Sequence, residues 1–299
     1  MSPVAVVLGA GGAAGHAFHV GVLSALADEF GWDARAADLL IGTSAGAAVA
    51  AALRVGLHPL DMRARETGDV LSAEGAELVR VGETAIAAAH AADDLAAEES
   101  AAALADRVRR IRLASPERIK QAVKAPRRVT PGSLISALVP EGRHSNRYLG
   151  APYDELVGER WPAGDTWLVA VELDTGERVV FGRERRGAPT ARLAQAVEAS
   201  CAVPGYFAPA EIDGVRYVDG GVHSTTNADL AGAMSGSGRR LVIVSAPMSA
   251  HAPTLQISAR SAVRQFARRT LESEAAALRA LEFDVVTFQP SPEVRAAMG

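Results

Sequence analysis

An α/β fold with a mainly parallel central sheet is what this sequence predicts, and three stretches carry the prediction. Val4-Ala5-Val6-Val7-Leu8 is a continuous, largely β-branched apolar run, the pattern of a strand buried on both faces. It leads straight into Gly9-Ala10-Gly11-Gly12-Ala13-Ala14-Gly15, after which Phe18, Val22, Leu23 and Leu26 recur at helical spacing, predicting a helix over about residues 16–29. The pattern then repeats. Asp38-Leu39-Leu40-Ile41 reads as a second short buried strand and residues 44–54 as a second helix. A strand–helix–strand–helix opening sets its strands parallel.

At 299 residues the chain has room for one large α/β domain or two small ones, and one domain spanning 1–299 is expected. A hydrophobic content of 48% with 22% charged residues describes a globular protein, and a net charge of -4 argues against nucleic acid as a partner. The single cysteine, Cys201, can form no internal disulfide and has no companions at metal spacing, so it is expected to be a small buried residue. No metal or cofactor motif stands out. The N-terminus is apolar, but it lacks Lys or Arg before Arg35 and is broken by glycines, unlike a secretory signal. No run of about 18 uninterrupted apolar residues is present, and the chain is expected to be cytoplasmic.

The chemistry begins at Gly42-Thr43-Ser44-Ala45-Gly46, a G-x-S-x-G pentapeptide between the second strand and the second helix. A serine at such a corner is a nucleophile elbow: the glycines permit a sharp turn that exposes Oγ, and the helix N-terminus behind it favours developing negative charge. Two readings compete for the first glycine loop. Gly9-x-Gly11-x-x-Ala14 fits a dinucleotide-binding fingerprint, which would make the chain a nucleotide-binding or regulatory module. That reading wants an acidic residue closing the second strand, and none appears between Ser44 and Asp61. The other makes the loop an oxyanion hole, its amides aimed at a carbonyl held over Ser44, and it accounts for both motifs together. His16 and His19 lie three apart on the first helix with no third ligand at metal spacing, and are expected to pack or cap.

From Pro59 to about Arg128 the character changes, and a helical cap insertion is expected over about residues 60–130. Residues 61–106 are Ala-rich and acidic, whereas 107–128 carry nine basic residues, from Arg107 to Arg128, against Glu117 alone. The basic run reads either as a solvated face pairing with the acidic segment or as a dock for anionic lipid head groups at a membrane surface. Residues 132–165 are loop-rich with short helical pieces. Residues 167–173 and 178–182 form a hairpin pattern, and a helix follows near 190–199. Asp213-Gly214 is a two-residue hairpin turn whose second strand ends at Asp219, followed by Gly220-Gly221. A carboxylate at a strand end beside two glycines is placed as a catalytic group would be; an Asp turn cap is the alternative. Leu241–Ser245 and Phe283–Phe288 read as further strands. Between them, residues 254–280 read as a long helix with an Arg-rich solvated face (Arg260, Arg264, Arg268, Arg269), and 291–299 begins another helix.

Glycine loop, G-T-S-A-G elbow and Asp219-Gly220-Gly221, in that order, resemble the bacterial patatin-like phospholipases. The likeness extends to His19-Val20-Gly21-Val22-Leu23 and to Ala202-Val203-Pro204-Gly205-Tyr206-Phe207. The resemblance implies a three-layer α/β/α sandwich acting as a serine acyl hydrolase on lipid esters. Ser44 would be the nucleophile, Asp219 the general base and the amides of Gly11 and Gly12 the oxyanion hole, with Gly15, Gly42, Gly46, Gly220 and Gly221 as motif glycines. Where relatives carry an Arg or Lys in the loop, Ala14 or Gly15 stands here, leaving oxyanion stabilisation to the backbone. An α/β-hydrolase with a Ser-Asp-His triad is the competing hydrolase, its histidine being His223 or His251. Against it, His223 is only four residues beyond Asp219, and the elbow falls on the second strand, early for that fold.

Overall fold

Side chains alternate along the central strands and divide the core in two. Val6 and Leu8 of β1 (Val4–Leu8) join one apolar cluster with Leu40, while Ala5 and Val7 join another with Leu39 and Ile41 of β2 (Leu39–Thr43). Strands this apolar on both faces need cover on both sides, which produces three layers. The computed structural model describes residues 2–107, 139–183, 189–236, 238–249 and 259–298, with side chains of 95–107 and 259–262 left aside. The basic run 108–128, Pro131-Gly132, His251 and the start of the long helix predicted from 254 lie outside the described residues, as does the side chain of Arg260.

Among the described residues the sheet has eight strands: β1, β2, β3 (Asp165–Glu172), β4 (Arg178–Phe181), β5 (Ala210–Ile212), β6 (Val215–Asp219), β7 (Arg240–Ser245) and β8 (Phe283–Phe288). Its path runs β5-β6-β3-β2-β1-β7-β8, with β4 paired to β3. Every pairing from β3 to β8 along this path is parallel, and β4, β5 and β6 pair antiparallel. The first core cluster is covered by α1 (Gly12–Phe30), α2 (Ala45–Arg54) and α3 (Pro59–Thr67), together with α5 (Arg147–Val157) and α6 (Leu193–Ser200). The second is covered by α7 (Ala259–Ala280), through Leu271 and Leu278, and by a 3₁₀ stretch over Ala228–Ala233. A short α8 (Pro292–Met298) follows β8.

Local chemistry sets the boundaries. α1 begins at Gly12, four residues earlier than the periodicity predicted, because Ala13 and Ala14 are strong helix formers that add no apolar periodicity to read. It ends where Gly31, at φ 61°, returns its N–H to Ala27 O. The cap prediction meets α3 and the 35-residue α4 (Ala73–Arg107), which packs along α5. Ser72 starts α4: its Oγ accepts from Gly75 N and donates to the buried Asp61 carboxylate on α3. The Asp213-Gly214 turn has φ of 51° and 76°, the double positive φ of a type I′ hairpin.

Candidate active site

The two strands that carry Ser44 and Asp219 meet end to end along one edge of β3. β2 pairs with β3 up to Thr43 opposite Val169, and β4 occupies the other edge over Leu168–Val171. β6, which pairs with Ala170–Glu172, is therefore on the edge that β2 has just vacated, and it runs toward β2. Its last residue, Asp219, lies opposite Ala170, one position beyond Val169. The G-x-S-x-G turn and the carboxylate thus leave the sheet at the same point, which brings Asp219 beside Ser44.

Ser44 has φ 56° and ψ -123°, a backbone conformation that a non-glycine residue adopts only under constraint, typically at about 1–3 kcal/mol. The constraint is visible in the neighbouring glycines. A Cβ on Gly46 would stand 2.0 Å from Leu8 O, one on Gly42 2.5 Å from Ala47 Cα, and one on Gly220 2.3 Å from Val169 O. Strand change-over at β3 also leaves two backbone groups without a ladder partner, and Ser200 at the end of α6 supplies both. Its Oγ donates to Val169 O at 2.6 Å and accepts from Ser44 N at 2.9 Å. Cys201 is buried as expected, its Sγ donating to Ser44 O at 3.2 Å, and burial pushes its thiol well above the usual range.

Asp219 is 5% exposed, and its carboxylate accepts from Gly221 N at 2.7 Å, so it caps its own turn. Desolvation by burial raises its pKa from 3.8 to about 6, against the nearby Ser44 hydroxyl and the Gly221 N–H, which pull it down. The carboxylate is ionised at neutral pH yet a stronger base than a solvated one.

Gly9 and Ala10 spend their amides on Ser245 O and Thr225 O. Among the described residues the amides of Gly11 and Gly12 have no acceptor, and they open α1 with the positive end of its dipole. Leu8 pairs with Gly42, so this loop leaves the sheet beside Thr43 and Ser44. Gly15 lies in the first turns of α1, where a Cβ would meet Pro247 at 3.2 Å, and a Cβ on Gly221 would meet Asp219 Oδ1 at 3.0 Å.

His16 pairs with Glu66 at 2.7 Å, and His19 is fully buried between Gly9 O and Ser245 Oγ, 2.7 Å from each. Desolvation lowers the His19 pKa to about 4, so it is neutral, donating through Nε2 to Gly9 O and steadying the glycine loop. His223 is half-buried; its charged neighbours are Arg178 and Asp229, and no hydrogen bond joins it to Ser44 or Asp219 among the described residues. The glycine loop is followed by no acidic residue at the end of β2, where Thr43 gives way to Ser44.

Sequence reading missed Ser200, Asn227 and Glu274. Asn227 is fully buried, with Nδ2 donating to Thr43 Oγ1 at 3.1 Å and Ser224 O at 2.7 Å. Its positive φ of 52° is the sort of turn signal an Asn can give, but nothing in the sequence points it at Thr43.

An apolar cavity of about 310 Å³ lies on the flank of α2, between α4 and α5. Ala48 and Ala52 of α2 form part of its wall, with Ile86 of α4 and Leu149 of α5 opposite, and His16 at one side. Ala48 and Ala52 are four and eight residues beyond Ser44, the spacing of one helix face.

Among solved structures, the chain is similar to VipD from Legionella pneumophila, at 14% identity and a TM-score of 0.38, over 99% of this chain and 64% of that one. It thus spans under two thirds of that protein's length. Residues 6–231 match the family model described as patatin-like phospholipase, a stretch that begins in β1 and contains the elbow, Ser200 and Asp219. The chain belongs to the patatin-like phospholipase family.

Proposed function

We propose that the protein is a serine acyl hydrolase that cleaves lipid acyl esters through an acyl-Ser44 intermediate. The observation that carries this reading is the strand register that ends β2 and β6 at one point of β3, bringing Ser44, on a strained elbow, together with the buried carboxylate of Asp219. A serine hydroxyl is a weak nucleophile at neutral pH and needs a positioned base. Asp219 takes the Ser44 proton as Oγ attacks the ester carbonyl, and the free amides of Gly11 and Gly12 receive the oxyanion. The proton then passes to the leaving alcohol. Water, deprotonated by the same carboxylate, releases the acyl group and restores Ser44. With no Arg or Lys in the loop, charge stabilisation rests on amides and the α1 dipole.

The acyl chain would lie in the cavity beside α2, which Ala48 and Ala52 line one and two turns beyond Ser44, Ser44 itself standing outside the lining. The family match makes a lipid ester the natural substrate class. No described helix is long and apolar enough to cross a membrane. A cytoplasmic location with peripheral contact to an anionic bilayer remains part of the proposal, to be checked by cell fractionation and by vesicle sedimentation.

A fluorophosphonate probe tests the reading. It should label the wild-type protein at Ser44, and Ser44→Ala should abolish both labelling and ester hydrolysis. Asp219→Asn should lower turnover by about 10⁴-fold. A wild-type protein that resists the probe and hydrolyses no acyl ester refutes the proposal; a folded Asp219→Asn variant with near-normal turnover removes the base assignment alone.

A further inference from the structure

Glu274 lies on α7, beyond the stretch that matches the family, and is 8% exposed. Its carboxylate points at the loop that follows Asp219-Gly220-Gly221. Oε1 accepts from Ser224 Oγ at 2.6 Å, and Oε2 accepts from Thr226 Oγ1 at 2.5 Å and from Ala228 N at 3.0 Å. A carboxylate this buried is retained against its desolvation by three donors, an arrangement more demanding than packing requires.

What the loop does with that anchoring is the point. Thr225 O accepts from Ala10 N at 2.7 Å, which holds the glycine loop next to Gly11. Asn227 Nδ2 donates to Thr43 Oγ1 at 3.1 Å, the residue just before Ser44, and approaches Gly220 O at 3.4 Å, the residue just after Asp219. Five consecutive residues, 224–228, therefore touch the oxyanion loop, the strand end of the nucleophile and the turn of the base. All three sit on elements that come from distant parts of the chain.

We propose that Glu274 is a positioning residue for the hydrolytic site, clamping loop 224–228 so that Gly11, Ser44 and Asp219 are held in one geometry. The inference rests on the acyl-hydrolase reading above. Hydrogen-bond counting makes the charge necessary. A serine hydroxyl has one proton and two lone pairs. Ser224 Oγ already accepts from Thr226 N at 3.2 Å and Asn227 N at 3.0 Å, so its proton must go to Glu274. Ala228 N can only donate. A glutamine at 274 can put its carbonyl oxygen toward Ala228 and Thr226, but its amide group then faces a serine oxygen with no free lone pair. Size is preserved and one bond becomes a conflict, so the loop must shift.

The test uses the full chain with Glu274→Gln and, as a smaller perturbation that leaves the carboxylate in place, Thr226→Val. Folding is followed by circular dichroism, kcat and KM on an acyl p-nitrophenyl ester, and Ser44 reactivity by the rate of fluorophosphonate labelling. For Glu274→Gln we expect kcat to fall by about 100-fold with KM nearly unchanged, and labelling to slow in parallel. Thr226→Val should show the same split at about tenfold. A residue that merely supports the fold would lower the melting temperature and leave the kcat of the folded protein alone. Folded Glu274→Gln protein with kcat and labelling rate within about twofold of wild type overturns the clamp. Should Glu274→Gln not fold, the Thr226→Val variant decides: loss of kcat supports the clamp, unchanged kcat overturns it. A wild-type protein that the probe does not label overturns the hydrolase reading and the clamp with it, whereas labelled wild type with unaffected variants removes the clamp alone.

Discussion

The N-terminal end of α2 and the flank of the same helix are built to opposite tolerances. At the end, the backbone of β1, β2 and β3 closes so tightly that a single methyl at 42, 46 or 220 would overlap a main-chain atom. One turn further on, Ala48 and Ala52 border empty space of about 310 Å³. The reacting atoms of an acyl transfer must be placed to within a fraction of an ångström, so there the protein removes side chains until backbone meets backbone. Under the proposed function an alkyl chain needs only apolar volume, and the flank of α2 offers it where side chains are small. Small residues serve both ends of α2, for different physical reasons.

Substitutions should separate the two regions, and the largest effect is expected at the tight end. Gly46→Ala would place a methyl 2.0 Å from Leu8 O, an obstacle that is backbone rather than a movable side chain. It should destabilise by more than the roughly 1–3 kcal/mol of ordinary overpacking, read as a lowered urea midpoint together with loss of Ser44 labelling. Ala48→Gly, at the loose region, should leave labelling intact and cost about 1 kcal/mol of helix propensity.

Next comes Asp219, where stability and activity pull apart. Burial raises its carboxyl from 3.8 to about 6, so the folded state holds this proton more firmly than the unfolded chain does. The stability that this lends is complete below about pH 4 and is lost as pH rises through about 6. Asp219→Asn, neutral throughout, should therefore be more stable than wild type at pH 8 by about 3 kcal/mol, with the gap closing as pH falls. The wild-type rate should do the reverse, rising as pH passes about 6 and the base ionises. Thermal melts and a pH–rate profile across pH 4–8 check both signs; a stability gap constant with pH would sink the argument.

Ser200→Ala removes the one hydroxyl that completes the interrupted ladder, leaving Val169 O and Ser44 N buried without it. A loss of about 1–3 kcal/mol is expected, with turnover reduced by about tenfold or more because the Ser44 amide is freed. The smallest effect on the fold should come from filling the hole. Ala52→Phe should leave stability and short-chain ester hydrolysis close to wild type while discriminating against long acyl chains by about 10–200-fold in kcat/KM. Unchanged chain-length preference would place the acyl chain elsewhere.

Much of the tight end was legible in advance. The β-branched run of β1, the G-x-S-x-G corner and the Asp213-Gly214 hairpin each state their local geometry through residues a few positions apart. Together they put Ser44 and Asp219 at strand ends. The pairing of Cys201 with burial, and of His19 with packing, followed from residue type. The start of α1 was misjudged because glycines were read as loop where the first turn of a helix accepts them. The cavity was not legible at all, since a void is a property of what five helices fail to fill.

Sequence alone determined most element types and the turn chemistry, and it named Ser44 and Asp219 as candidates, because periodicity and φ preference act over a handful of positions. Only the tertiary structure decided that β2 and β6 share one edge of β3, which is what turns a serine and an aspartate 175 positions apart into neighbours. It also decided that Ser200, 156 residues from Ser44, and Glu274, 50 from Ser224, satisfy the polar groups left at that junction. Strand register and buried hydrogen bonds depend on which distant surfaces meet, and no local pattern encodes that.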